Sequence, residues 1–241
     1  MRIQDLFEEH QKLVVVNTHL NPLLWKDTGD QPKLDPAIAS KLLKIAEAFY
    51  KSIEVPLDIV DCTLTGSNAN YTWNAHSDLD LHLIVRGAPT EHERELYDAK
   101  KAVWGDIHDI TIKGLPVEVY VQGESDPHYS TGVYSLFNNS WNVIPSKQKP
   151  HINDISVAAK KDAYINIIES ALLDNNLDSL TKIKKKIAKM RKAGLERSGE
   201  WSTENLVFKA LRNLGLIDQI TDKIHSLEDE ELSLETTQTL L

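Results

Sequence analysis

Residues 78–85 alternate between two kinds of side chain. Apolar residues occupy every second position, at Leu79, Leu81 and Leu83. Because successive side chains of a β-strand point to opposite faces, this pattern predicts a strand with one face in a hydrophobic core. Asp78 and Asp80 then project side by side from the other face. Carboxylates held this close together require either full solvation or a cation between them.

A glycine ends the strand that is predicted just before this one. Residues 57–65 read as a strand, and Gly66-Ser67 then interrupts the pattern. Glycine lets a backbone approach a phosphate group closely, and Ser67 offers a hydroxyl and an amide as hydrogen-bond donors. The Gly-Ser turn is therefore a candidate phosphate-binding element.

A third carboxylate, Glu118, lies on another predicted strand, residues 117–121. Valines alternate there with Glu118 and Tyr120, which therefore share a face. Three carboxylates on neighbouring strands suit two divalent metals roughly 3.5–4 Å apart, which activate an attacking oxygen and stabilise a leaving one. Oxygen ligands favour Mg²⁺, with Mn²⁺ as the alternative.

These motifs together resemble the DNA-polymerase-β-like nucleotidyltransferase superfamily over about residues 36–145. The signature of that superfamily is a hydrophobic residue, Gly-Ser, a spacer, Asp-x-Asp on a strand and a third acid on a later strand. The matching positions are Leu64, Gly66, Ser67, Asp78, Asp80 and Glu118. The whole chain also resembles nucleotidyltransferase-like proteins of tailed phages, and the segment Gly199–Lys209 is what suggests this resemblance.

The superfamily resemblance implies an α+β fold with a mixed sheet flanked by helices. It implies a nucleoside triphosphate (NTP) donor, a magnesium cofactor and pyrophosphate as product. It assigns Asp78 and Asp80 to the metals and Gly66-Ser67 to the triphosphate. The third acid of the family binds one metal and helps to deprotonate the attacking hydroxyl. That acid is more often Asp, so Glu118 departs from the pattern by one methylene.

The chain changes character after a polar linker at residues 145–150. We expect a nucleotidyltransferase catalytic core at residues 1–150 and a helical C-terminal domain at residues 151–241. Helices are predicted near residues 3–13, 35–54, 91–104, 155–173, 178–193, 203–213 and 216–227. Strands are predicted at 57–65 and 78–85. Residues 110–121 read as a hairpin or two short strands, and residues 133–144 read as a hairpin.

The composition narrows the class of protein. The chain has 241 residues and one cysteine, so it forms no internal disulfide. Its formal net charge is −9, which excludes a protein that covers nucleic acid along its whole surface. The first ten residues carry acids where a signal peptide has apolar residues, and no stretch approaches the roughly 20 apolar residues that span a bilayer. These features predict a cytoplasmic protein without a membrane partner.

Two groups of lysines are candidate anion contacts. Lys160 and Lys161 are candidate triphosphate contacts at the start of the helical region. Residues 182–192 form a basic amphipathic helix, which is either a solvated face or a wall that contacts the phosphates of a triphosphate or an RNA acceptor.

Several side chains near the Asp-x-Asp motif have two interpretations. Tyr71 and Trp73 either stack on a nucleobase or pack the segment onto the core. His82 shares the face of the acids and is expected to be a packing or surface histidine rather than a phosphate contact.

The favoured function is metal-dependent transfer of a nucleoside monophosphate to an acceptor hydroxyl. RNA or tRNA ends, a protein hydroxyl, a small molecule such as an aminoglycoside and another nucleotide all remain possible acceptors. The basic helix favours a polyanionic one. The alternatives are an inactive nucleotidyltransferase-fold binding or antitoxin-like protein, and a pyrophosphokinase of the alarmone type. One cysteine and scattered histidines do not support a zinc site.

Overall fold

The computed structural model of the chain describes residues 16–26, 31–75, 77–146 and 154–233. The helix predicted near residues 3–13 lies outside these ranges. The chain divides into two compact units, and the described residues 16–146 and 154–233 fall in different ones. The roles of catalytic core and helical domain stay predictions.

The unit of residues 16–146 contains eight strands, two α-helices and one 3₁₀ turn among its described residues. The strands are β1 (Trp25–Lys26), β2 (Lys33–Leu34), β3 (Ile59–Thr65), β4 (Leu79–Val85), β5 (Thr111–Ile112), β6 (Leu115–Gly123), β7 (Val133–Ser135) and β8 (Ser140–Val143). The helices are α1 (Pro36–Ile53) and α2 (Glu91–Ile107), and the 3₁₀ turn is Ser67–Ala69.

Six of the strands form one mixed sheet in the order β5-β6-β4-β3-β7-β8. The pair β4 and β6 is parallel, and the other neighbours are antiparallel. Helix α2 makes the crossover between the two parallel strands, as parallel pairing requires. The α+β class and the mixed sheet flanked by helices, both predicted from the sequence, are confirmed.

Local sequence signals explain where the two helices begin. The Asp35 side chain accepts a hydrogen bond of 2.8 Å from the Ala37 amide, and Pro36 occupies the first turn of α1. Thr90 and Glu93 form a reciprocal capping box at the start of α2. Both helices bury apolar side chains, and Phe49 of α1 packs edge-on against Trp104 of α2 at 5.6 Å between ring centroids.

The unit of residues 154–233 is helical. Its elements are α3 (Asp154–Asp174), α4 (Leu177–Ser198), a 3₁₀ turn (Gly199–Trp201), α5 (Thr203–Asn213) and α6 (Leu216–Leu232). Helices α4 and α5 approach closely at Gly194, where an added Cβ would lie 2.6 Å from the Cβ of Glu204. The four helices predicted for this region are confirmed, with α6 extending five residues beyond its predicted end at 227. None of the described helices is long and apolar enough to cross a bilayer.

Candidate active site

Three carboxylates converge where β4 and β6 lie side by side. Asp80 is paired in register with Glu118, and Asp78 precedes β4 by one residue. One oxygen from each of Asp78, Asp80 and Glu118 lies within 4.8 Å of the others, and all three residues are partly buried. The structure thus brings together the three acids that the sequence singled out, although their roles stay predictions.

Gly66 lies directly against this cluster. The antiparallel pairing of β3 with β4 places Thr65 opposite Asp80, so the next residue, Gly66, meets the Asp80 side chain. Gly66 has φ +74°, and a Cβ added there would lie 1.7 Å from Asp80 Oδ2. Glycine is therefore required for two reasons, the left-handed backbone and the missing side chain.

Asn68 ties the 3₁₀ turn to the chain that leads into β4. Its fully buried side chain donates hydrogen bonds to the carbonyl oxygens of Ser77, at 3.1 Å, and Asp78, at 2.8 Å. Its Oδ1 accepts a hydrogen bond of 2.8 Å from Asn21 Nδ2. These bonds fix the backbone at Asp78, a role that the sequence analysis did not assign to Asn68.

The Gly-Ser turn is also held by two serines. Ser67 Oγ donates to Ser77 Oγ at 3.0 Å, and the Gly66 amide donates to Ser130 Oγ at 3.2 Å. Ser130 belongs to the segment between β6 and β7, which the sequence analysis did not connect with the site. The Ser130 hydroxyl accepts a hydrogen bond from the Gly66 amide. A backbone amide of this kind is a donor that would suit a phosphate oxygen.

Glu118 has two hydrogen-bond donors of its own. The Tyr120 hydroxyl donates to Glu118 Oε2, and Lys101 Nζ lies 3.2 Å from the same oxygen and 3.5 Å from the centroid of the Tyr120 ring. Burial would raise the pKa of Glu118, but the hydrogen bond from Tyr120 and the charge of Lys101 outweigh it and lower that pKa. Burial, together with the charges of Asp80 and Glu118, raises the pKa of Tyr120. Glu118 is therefore ionised and Tyr120 neutral at neutral pH.

Lys101 was not among the predicted site residues, although its spacing on α2 indicates that it faces inward. Lys101 follows the buried Tyr97 by four residues and precedes the buried Trp104 by three. Residues three and four apart share a helix face, so this spacing places Lys101 on the inward side of α2.

The aromatic residues near the acids serve mainly in packing. His82 stacks on Tyr120 with 4.7 Å between ring centroids, and its Nδ1 lies 2.7 Å from Gln122 Oε1. Burial lowers the pKa of His82 to about 4, so its ring is neutral at neutral pH. Tyr71 is buried in the core, and the half-buried Trp73 donates from Nε1 to the His19 carbonyl at 3.0 Å. The packing interpretation of His82 and Tyr71 is confirmed.

The donor set suits a hard divalent cation. The three carboxylates carry three negative charges when they are ionised. Among the described residues, Lys101 forms an ion pair with one of them, Glu118. Carboxylate oxygens are the ligands that Mg²⁺ and Mn²⁺ prefer. A divalent ion would offset the remaining negative charge in this partly buried place.

Lys160 and Lys161 lie on α3 in the helical unit. Lys160 Nζ is 2.7 Å from a Glu204 oxygen, and Lys161 Nζ is 3.3 Å from Asp162 Oδ1. Both lysines thus have acidic neighbours in their own unit. Their assignment to a triphosphate stays a prediction.

Comparisons with known proteins give no close relative. No family model and no curated protein matches the chain. Among solved structures, a STING-associated CdnE c-di-GMP synthase from Capnocytophaga granulosa is 12% identical, with 82% of this chain and 84% of that chain covered and a TM-score of 0.25. The spectinomycin adenyltransferase AAD(9) from Enterococcus faecialis is 14% identical, with 80% and 100% covered and a TM-score of 0.24.

A third solved structure, the CdnE c-UMP-AMP synthase from Rhodothermus marinus, is 9% identical, with 97% of this chain and 99% of that chain covered and a TM-score of 0.22. At such low identities and TM-scores, these similarities carry no argument about the activity of this chain.

Proposed function

We propose that this protein is a metal-dependent nucleotidyltransferase that moves a nucleoside monophosphate from an NTP to an acceptor hydroxyl. The observation that carries the proposal is the convergence of Asp78, Asp80 and Glu118 beside the backbone of Gly66. Nucleotidyl transfer requires a turn that binds phosphate and a cluster of carboxylates that binds metal, and the candidates proposed for these two roles are in contact.

The three acids would hold Mg²⁺ or Mn²⁺, and Gly66 and Ser67 would bind the triphosphate. When bound, the metal ions neutralise phosphate charge and lower the pKa of the attacking hydroxyl. Gly66 lacks a Cβ, which leaves room for the Asp80 carboxylate beside the turn, and Ser67 would donate hydrogen bonds to phosphate oxygens from its hydroxyl and amide. Lys160 and Lys161 are proposed as further triphosphate contacts.

Glu118 is proposed to accept the proton of the acceptor hydroxyl. Tyr120 and Lys101 hold one of its oxygens, which fixes the orientation of the carboxylate. The acceptor oxygen attacks the α-phosphorus, the bond from that phosphorus to the bridging oxygen breaks, and pyrophosphate leaves. Proton transfer to a positioned carboxylate is ordinary general-base catalysis.

A catalytically inactive binding protein is the second candidate. One observation favours it, namely that Lys101 already pairs with Glu118 and so offsets part of the charge that a metal would neutralise. In that case the fold would bind a nucleotide or a protein partner without transfer.

Transfer of label from α-labelled NTPs tests the proposal. The wild type is incubated with each of the four NTPs, Mg²⁺ or Mn²⁺, and separate pools of cellular RNA and small metabolites. Asp78→Asn/Asp80→Asn serves as the inactive variant, and Asp58→Asn, which alters an exposed aspartate in an ion pair with Arg86, is the matched control.

The proposal predicts incorporation by the wild type and Asp58→Asn and none by the double variant. The labelled pool then identifies the acceptor class as RNA or a small molecule. Metal-dependent NTP binding without transfer to any pool would favour the inactive binding protein, and the absence of both would refute the assigned site.

A further inference from the structure

The outward face of α4 carries a row of lysines. Five of its lysines lie on the side of the helix opposite the buried Leu180 and Ile187. At about 100° per residue, these five positions fall within an arc of about 120° around the helix axis. They are Lys182, Lys185, Lys186, Lys189 and Lys192, here called the lysine face, and all five are exposed. The row is about 15 Å long, because α-helices rise about 1.5 Å per residue.

The charge on this face is not balanced along the helix. Between Asp178 and Glu196 no acidic residue occurs. Lys182 pairs with Asp178, whereas the other four lysines have no ion pair with another residue of the described ranges.

Like charges at spacings of three and four residues destabilise a helix. The lysine face contains several such pairs, among them Lys182 with Lys186 and Lys185 with Lys189. A solvated surface would be more stable with acids among these positions. A row of phosphates placed along the helix would offset the repulsion.

We propose that the lysine face binds the phosphate backbone of a nucleic acid. The whole chain carries a net charge of −9, so this local concentration of positive charge is a part of the described surface that complements a polyanion. The binding is independent of the proposed nucleotidyl transfer and needs neither NTP nor metal.

A nucleic acid fits the lysine face better than an anionic membrane does. Interfacial helices bury an apolar side in the lipid beside their cationic residues. The apolar side of α4, with Leu180 and Ile187, is buried within the helical unit itself. The outward face is then left with electrostatic contacts to anions such as phosphates.

Fluorescence anisotropy of labelled oligonucleotides tests the proposal. The full chain is titrated against a single-stranded RNA and a DNA of the same sequence, in EDTA and without NTP, over a series of NaCl concentrations. Each phosphate contact on a single strand contributes about −0.7 to the slope of log K against log salt, so five contacts predict a slope of about −3.5.

A triple variant, Lys185→Gln/Lys189→Gln/Lys192→Gln, removes three of the five charges. It is expected to reduce the slope of log K against log salt to about −1.4. Lys41→Gln/Lys44→Gln/Lys113→Gln changes the net charge equally at exposed positions of the other unit and should leave the slope unchanged. Circular dichroism verifies that both variants keep their helix content, which glutamine supports.

Equal slopes for the two triple variants, or no binding at low salt, would overturn the proposal. So would binding to phosphatidylserine vesicles or to poly-glutamate as tight as binding to the oligonucleotides, because the face would then recognise negative charge in general. A difference between the RNA and DNA arms would identify which nucleic acid is preferred. Since no NTP or metal is present, failure here leaves the transferase proposal unaffected.

Discussion

The carboxylate of Asp80 occupies the space beside Gly66 that any other residue at position 66 would need for its Cβ. The two positions are adjacent across the β3–β4 pair, and the ideal Cβ of residue 66 would overlap Asp80 Oδ2 at 1.7 Å. The glycine of the proposed phosphate-binding turn thus leaves the space that a proposed metal ligand occupies.

Gly66→Ala is expected to destabilise the fold by about 2–4 kcal/mol, because the new methyl group forces the Asp80 side chain to move and the backbone has φ +74°. Gly87→Ala is the matched control, since Gly87 has the same φ of +74° and nothing within 4 Å of its Cβ. We expect only about 1 kcal/mol there. Urea denaturation of both variants measures the difference.

A double-mutant cycle isolates the clash. Adding Asp80→Ala to Gly66→Ala removes the carboxylate that the methyl group meets, so the double variant should be more stable than the sum of the two single effects predicts. Strict additivity would show that backbone strain alone explains the cost.

Asp80→Asn is expected to stabilise the metal-free protein while it removes stabilisation by Mn²⁺. The change relieves repulsion among three clustered carboxylates, an effect of about 1 kcal/mol in a partly solvated site. Thermal unfolding in EDTA and in MnCl₂ measures both effects. Equal stabilisation of wild type and variant by Mn²⁺ would exclude Asp80 as a ligand.

Lys101→Met is expected to tighten Mn²⁺ binding about fivefold. The Lys101 ammonium pairs with Glu118 and repels an incoming cation by about 1 kcal/mol in high dielectric. Isothermal titration calorimetry measures the affinity. Lys100→Met is the control, because the neighbouring Lys100 pairs with Glu54 instead. Weaker binding by Lys101→Met would mean that Lys101 acts mainly by orienting Glu118.

The stability of the helical unit should fall in acid because of Glu204. Burial would raise the pKa of Glu204, but hydrogen bonds from Lys160 and Arg197 outweigh it and lower the pKa from 4.5 to about 2. A lowered folded-state pKa gives stability that is complete above the unfolded value and is lost as the pH falls from 4.5 towards 2. The contribution is on the order of 2 kcal/mol.

Glu204→Gln should therefore be less stable than the wild type at pH 7 and should show a flatter dependence of unfolding free energy on pH between 5 and 3. Glu228→Gln, at an exposed position of α6, is the control. A wild-type curve as flat as that of Glu204→Gln would contradict the lowered pKa.

Local sequence signals predicted most of the fold and the identity of the three acids. The alternation of Leu79, Leu81 and Leu83 fixed which face of β4 is buried, and the cap at Asp35 fixed the start of α1. These signals are local because they depend on neighbours a few residues apart.

The supporting contacts of the site could not be predicted in the same way. Lys101 reaches Glu118 because α2 packs against β6, the strand that carries Glu118. The order of the strands in the sheet cannot be read from a periodic pattern in the sequence. The bonds of Asn68 and Ser130 join segments that are distant in the chain. The short pairing of β1 with β2 also escaped prediction, since two residues are too few for a pattern.

The parallel pairing of β4 with β6 has a kinetic consequence. Asp80 and Glu118 come together only when β6 pairs with β4, and that pairing is non-local because the segment that contains α2 separates the two strands in the chain. An unfolded or partly folded chain therefore lacks the complete carboxylate cluster. A divalent cation bound at the proposed site would stabilise the folded sheet, and it would slow unfolding more than it accelerates folding.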